Sequence, residues 1–72
     1  MKLNQRIASM RGYRLMTQDE LGELVGVTKQ TISGWERGRR LPSADDLVKL
    51  CNVLNCSADY LLGLSDDMNE KR

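Results

Sequence analysis

The stretch from Thr17 to Gly38, TQDELGELVGVTKQTISGWERG, holds two short amphipathic patterns back to back with one glycine between them. Few folds accommodate that. Thr17 and Glu20 have the spacing of a capping box, in which each side chain covers an orphan N–H at the start of a helix. Met16 before the cap and Leu21 in the first turn form a hydrophobic staple, and Leu21, Leu24 and Val25 continue at helical spacing. Gly26 stands where a left-handed residue is needed to stop that helix. Thr28 is a good N-cap for the second pattern, and Val27 staples onto Ile32. This second helix is expected to run to about Arg37 and to stop at Gly38. Ile32 and Trp35 form its inward edge. Gln30, Gly34 and Arg37 lie along its opposite side with Ser33 beside them, and that side has no large apolar residue.

A two-turn helix with an amide, a hydroxyl and a cation on its free face suggests that something is being read. Two helices joined by a three-residue, glycine-containing turn form a helix-turn-helix, whose second helix can enter a DNA major groove. An αα-corner with a solvated outer face produces the same pattern, so the rest of the chain has to decide between them.

Seventy-two residues make one small domain, near the lower size at which a core suffices without covalent staples. With no Phe, one Trp and two Tyr, that core must be aliphatic. No apolar run approaches membrane-spanning length, and the N-terminus is too polar for a secretory signal. Cys51 and Cys56 are the only cysteines and there is no His, too few ligands for a zinc site. Cys51 is expected in the core and Cys56 as a reduced thiol in a loop; a disulfide between them would be strained. The net charge of +1 does not by itself favour a nucleic acid partner. Its distribution matters more. Residues 1–16 hold Lys2, Arg6, Arg11 and Arg14 with no acid, and Lys29, Arg37, Arg39 and Arg40 face only Glu36. The positive charge is therefore local and is expected to bracket the second helix of the pair, giving the kind of field to which phosphates respond.

Leu3, Ile7 and Met10 define an amphipathic first helix that should end between Arg11 and Leu15, with Arg11 on the shoulder of the apolar stripe. Gly22 inside the next helix costs roughly 1 kcal/mol relative to Ala. It is expected to allow close approach of the third helix. Residues 38–42 form a loop. Ser43 caps a fourth helix with Asp46 in its first turn and Leu47, Leu50, Cys51 and Leu54 inward; Asn55 suits its left-handed exit. Ser57 caps a short fifth helix with Leu61 and Leu62 inward and Gly63 at its end. Five short helices with short connections and no alternating segment predict an all-α globule. Residues 1–64 form the domain, and residues 65–72 are expected to fray as a polar tail or the start of a linker.

These residues together resemble the helix-turn-helix family of phage repressors, Cro proteins and related bacterial regulators. The matching features are Thr17-Gln18 with Glu20-Leu21, Val25-Gly26-Val27-Thr28, Thr31-Ile32-Ser33, Trp35-Glu36 with Gly38, Pro42, Leu47 with Leu50, and Leu61-Leu62, which span roughly residues 3–64. The resemblance implies a five-helix fold of the lambda-repressor-like type. It also implies a bacterial or phage-encoded, cytoplasmic, nucleoid-associated regulator, a repressor, that binds a palindromic double-stranded operator as a homodimer. By position, Thr28, Lys29, Gln30, Ser33 and Gly34 would face base edges, and Thr17, Gln18, Trp35, Arg37, Arg39 and Arg40 would face the DNA backbone. Gln suits adenine and Lys suits guanine. Arg11 and Glu36 match a structural ion pair between the first and third helices. In two places the chain departs from the family pattern: Gly22 replaces a usual Ala, and Leu15 stands where Gly often closes the first helix.

With so few ligand residues no metal is expected, and no cofactor is expected either. A rival reading keeps the fold but makes it a protein-binding module, an antitoxin, anti-repressor or adaptor; a regulatory protein partner is also compatible with the repressor reading. An enzyme is disfavoured, because there is no His, no Gly-rich phosphate loop, and the Asp45-Asp46 and Asp66-Asp67 pairs fall in a helix start and a tail. Self-association is expected to be weak in the free protein and firmer on DNA, through the fifth helix and the segment near Tyr60 and Leu64.

Overall fold

At Thr17, the Oγ1 accepts from the Glu20 N–H at 3.1 Å while the Glu20 carboxylate accepts from the Thr17 N–H at 2.9 Å, closing the capping box. The structure is a computed structural model and describes residues 1–69. Its helices are α1 (Lys2–Tyr13), α2 (Gln18–Val25), α3 (Lys29–Glu36), α4 (Ala44–Leu54) and α5 (Ala58–Leu62), with no strand among the described residues. Gly26 ends α2 at φ 87° and Asn55 ends α4 at φ 53°, both left-handed. Ser43 caps α4 as expected, and Asp46 closes a second capping box by accepting from the Ser43 N–H, a return bond that was not foreseen.

α1 lies against α3, α4 and α5, while α2 packs on α3 and α4. The inward stripes meet in one cluster, where Ile7, Leu21, Ile32, Leu50, Leu54 and Leu61 expose nothing. Each such side chain contributes roughly 1.5–3 kcal/mol by leaving water.

Several positions differ from the sequence reading. Leu24 and Leu62 are 59% and 41% exposed, because in helices this short the core reaches only one narrow strip. The two cysteines exchange roles: Cys56 is buried and Cys51 only half-buried. The turn after α4 folds Cys56 inward, its N–H bonding to the Cys51 carbonyl at 3.1 Å. Burial pushes the Cys56 thiol up to about 11, with the neighbouring Cys51 adding to the shift.

The chain after α5 does not fray through residue 69. Ser57 N–H donates to the Met68 carbonyl at 2.8 Å, Met68 packs on the core, and Arg6 Nη1 donates to the Ser65 carbonyl at 2.6 Å. Residues 70–72 lie outside the described residues. Leu15, where glycine was missed, takes the left-handed conformation anyway, at φ 58°. Its N–H bonds to the Gly12 carbonyl and that of Met16 to Arg11, both at 3.0 Å, and the pair of bonds closes α1.

Candidate nucleic-acid interface

α3 has one face fixed by the core and one face left open. Ile32 and Trp35 anchor the inner face, 0% and 2% exposed. Thr28 Oγ1 accepts from the Thr31 N–H at 3.1 Å, capping the start of the helix. The turn before it sits against Gly22, where an added Cβ would stand 2.7 Å from the Val27 carbonyl oxygen. Real Cβ atoms essentially never come that close, so glycine sets how tightly the turn approaches α2. The close approach expected at Gly22 is made by Val27 of the turn and by Thr28, the residue that caps α3.

Two polar links from α1 hold the far end of α3. Asn4, 8% exposed, donates from Nδ2 to the Trp35 carbonyl at 2.7 Å. Arg11 donates from Nε to Glu36 Oε2 at 2.7 Å and from Nη2 to Oε1 at 3.1 Å, and from Nη1 to the Met16 carbonyl at 2.9 Å. The Glu36 side chain is 8% exposed and also accepts from Gln18 Nε2 at 3.1 Å, so this one carboxylate ties together α1, α2 and α3. The hydrogen bond that Arg11 donates to Glu36 raises the Arg11 pKa above its usual value. Asn4 was not singled out from the sequence, although a short amide between Leu3 and Ile7 on an apolar stripe was the available signal.

The outer face behaves differently. Thr28, Gln30, Ser33, Gly34, Arg37, Arg39 and Arg40 line one open depression together with Thr31. Lys29 is exposed at the start of α3, and Gln30, Arg37, Arg39 and Arg40 are exposed as well. Among the described residues none of these five side chains makes a hydrogen bond or ion pair. Thr17 and Gln18 sit apart, at the N-terminus of α2. Gln18 spends one amide hydrogen on Glu36, and the second remains. The Trp35 indole N–H has no partner among the described residues. Since no fully buried side-chain nitrogen or oxygen among the described residues lacks a partner, that N–H retains a narrow opening to solvent.

The positive charge of α1 does not bracket α3, contrary to the sequence reading. Arg6 donates to the Tyr60 and Ser65 carbonyls and to Asp66, and its guanidinium stacks 4.1 Å from the Tyr60 ring centre. Arg14 donates to the Leu54 and Asn55 carbonyls at the end of α4. Orphan carbonyls at helix ends attract cations, and α1 supplies them. Among the described residues, the unpaired cations beside α3 are Lys29 and the arginines of the segment after it.

Comparison with known proteins agrees with this geometry. Residues 7–61 match the helix-turn-helix family. The repressor protein C2 of Salmonella phage P22 is 40% identical over 60 residues, 83% of this chain and 28% of that protein. The transcriptional regulator ImmR of Bacillus subtilis is 38% identical over 99% of this chain and 55% of its own length. This chain thus spans about half or less of these two relatives. Among solved structures, the P22 c2 repressor in complex with a synthetic operator superposes with a TM-score of 0.81 at 38% identity, covering 85% of this chain and 92% of that one. SinR of Bacillus subtilis in complex with DNA gives a TM-score of 0.78 at 36% identity, over 83% and 97%. With five helices in this order, an anchored inner face and an open polar outer face on the second helix of the turn, the chain belongs to the helix-turn-helix family of the phage-repressor type.

Proposed function

We propose that this chain is a sequence-specific double-stranded-DNA-binding regulator of transcription, a repressor, that lays α3 in the major groove and acts as a two-fold dimer. The observation that carries the proposal is the set of unpaired side chains on and just beyond α3, Lys29, Gln30, Arg37, Arg39 and Arg40, on a helix locked from behind. Gln30 offers a donor and an acceptor to adenine, and Lys29 donates to guanine. Thr28 and Ser33 add short hydroxyls beside them, and Gly34 keeps the helix face low enough to reach the bases. Thr17 and Gln18 at the start of α2, the narrow opening at Trp35 Nε1, and the cations of Arg37, Arg39 and Arg40 meet the phosphates that flank the groove. The named partners of two similar structures, an operator and DNA, support the same role.

One two-turn helix spans only a few base pairs, so specificity calls for two copies, with half-sites ~34 Å apart on a palindromic operator. Leu62 and Leu64, 41% and 69% exposed at the end of α5, are apolar surface for such pairing, next to Tyr60. The role is binding rather than catalysis and places the chain in the cytoplasm at the nucleoid; no described helix is long and apolar enough to cross a membrane. Selection from a random duplex pool tests the proposal. An enriched palindrome with two protomers bound is the expected result. No enrichment would overturn the proposal and favour the protein-binding module.

A further inference from the structure

Arg40 lies across the one bare position on the outer face of α3. A Cβ built on Gly34 would stand 2.9 Å from Arg40 Cγ, 3.2 Å from its Cδ and 3.7 Å from its Nε. These atoms are consecutive along the side chain, so the arginine stem runs over the glycine instead of away from the helix. The backbone is folded back in the same direction: the Gly34 carbonyl accepts from the Arg39 N–H at 2.9 Å and from the Arg40 N–H at 3.4 Å. Gly34 is buried on this otherwise open face. Among the described residues the Arg40 guanidinium has no carboxylate and no hydrogen-bond acceptor, so no charge partner holds it there. Carbon atoms at ease keep about 3.5–4.0 Å between them, so a side chain at position 34 would displace the stem.

We propose that Arg40 is a base-reading residue: seated on Gly34, it carries its guanidinium onto the strip shared with Gln30 and donates its fork to one guanine through O6 and N7. The proposal rests on α3 occupying the major groove. It changes the role of both residues. Gly34 then touches no base itself, and its missing Cβ is the seat for Arg40. Arg40, in turn, is more than a flanking cation. Neutralising a phosphate needs only a positive charge, whereas two parallel N–H bonds to a guanine edge need the planar fork.

The test is selection from a random duplex pool, followed by titration of single-base variants of the enriched site. It compares the wild-type chain with Arg40→Ala, Arg40→Lys, Gly34→Ala and the double variant Gly34→Ala/Arg40→Ala, with folding of each checked by thermal unfolding. Arg40→Ala should reduce discrimination at one G·C position by roughly 5- to 150-fold, the worth of a good bidentate pair. Gly34→Ala should reduce discrimination at that same position, and the double variant should lose no more there than Arg40→Ala alone. Arg40→Lys should keep the charge and still lose most of that preference. If Arg40→Ala weakens all sequences equally with every preference intact, Arg40 is a phosphate contact and the proposal is wrong. Retention of the preference in Gly34→Ala overturns the seat. If the wild-type chain enriches nothing, the DNA reading itself fails and this proposal with it, an outcome distinct from the other two.

Discussion

Arg6 and Arg11 on α1 with Arg14 at its C-terminal cap, and Arg37, Arg39 and Arg40 beyond α3, are the same residue type, and the fold treats the two sets oppositely. The α1 set is consumed inside the molecule, on the carbonyls that end α4 and α5, on Glu36 and on Asp66. The second set has no protein partner among the described residues. Charge in a sequence therefore becomes a binding surface only where the fold leaves it unpaired. Helix geometry decides which case applies: α1 crosses the C-terminal ends of other helices, whose carbonyls seek donors, whereas the segment after α3 faces solvent.

The largest expected effect lies in the paired region. Removing one member of the Arg11/Glu36 pair should destabilise the fold by about 3 kcal/mol, the low end for breaking a buried pair because the Arg11 side chain is 22% exposed. Arg11→Met should be the worse single change, since it strands a carboxylate only 8% exposed. The double variant Arg11→Met/Glu36→Leu should be less damaging than the sum of the two. Chemical denaturation of the cycle measures this, and additive losses would mean that the pair contributes no coupling.

On the unpaired side the pattern should invert. Gln30→Ala should leave the denaturation midpoint where it was and cost ~1–3 kcal/mol of operator binding, with preference relaxed at one base position. A shift in stability with no loss of preference would move Gln30 into the structural set.

The turn that separates the two regions supplies a smaller effect of opposite sign. Leu15 holds a left-handed φ with its side chain 90% exposed, so Leu15→Gly relieves strain and loses almost no burial. The variant should melt higher, by up to ~1 kcal/mol of stability. An unchanged or lower midpoint would show that the leucine side chain contributes to stability.

Smallest is the pH dependence of the Arg6 anchor. The hydrogen bond from Arg6 holds the Asp66 carboxyl below its ordinary value, with Lys2 assisting. A depressed folded value means that the contribution is complete above the ordinary carboxylate range and is lost as pH falls through the lowered one. Acid titration followed by NMR should show residues 65–68 loosening from α1 there, in a step that Asp66→Asn abolishes.

Most of the framework was legible because its signals are local. Thr17 with Glu20, Gly26, Thr28, Ser43 and Ser57 each act within a turn of their own position, and each forms the cap its spacing implies. What escaped depends on distant partners. Arg6 and Arg14 looked like free basic residues, since nothing nearby in sequence discloses carbonyls 54 and 40 positions away. Leu24 and Leu62 were assigned inward because periodicity marks a face without saying how wide the core is. Cys56 was placed in a loop correctly as to backbone and wrongly as to depth, since burial there depends on how the turn after α4 folds. In the candidate site the polar strip of α3 was visible, but the position of Arg40 over Gly34 was not, because it arises from the fold-back of a loop.

The salt dependence of DNA binding measured on two kinds of arginine variant is the most direct test of the contrast. On one duplex, the magnitude of the slope of log K against log salt should fall by about 1 for Arg39→Ala and for Arg37→Ala, since each variant leaves one phosphate without its cation. Arg14→Ala, folded at the temperature of measurement, should leave the slope unchanged, since its guanidinium is already held by the carbonyls of Leu54 and Asn55. An equal fall in all three, or a fall in Arg14→Ala alone, would contradict the division between paired and unpaired cations.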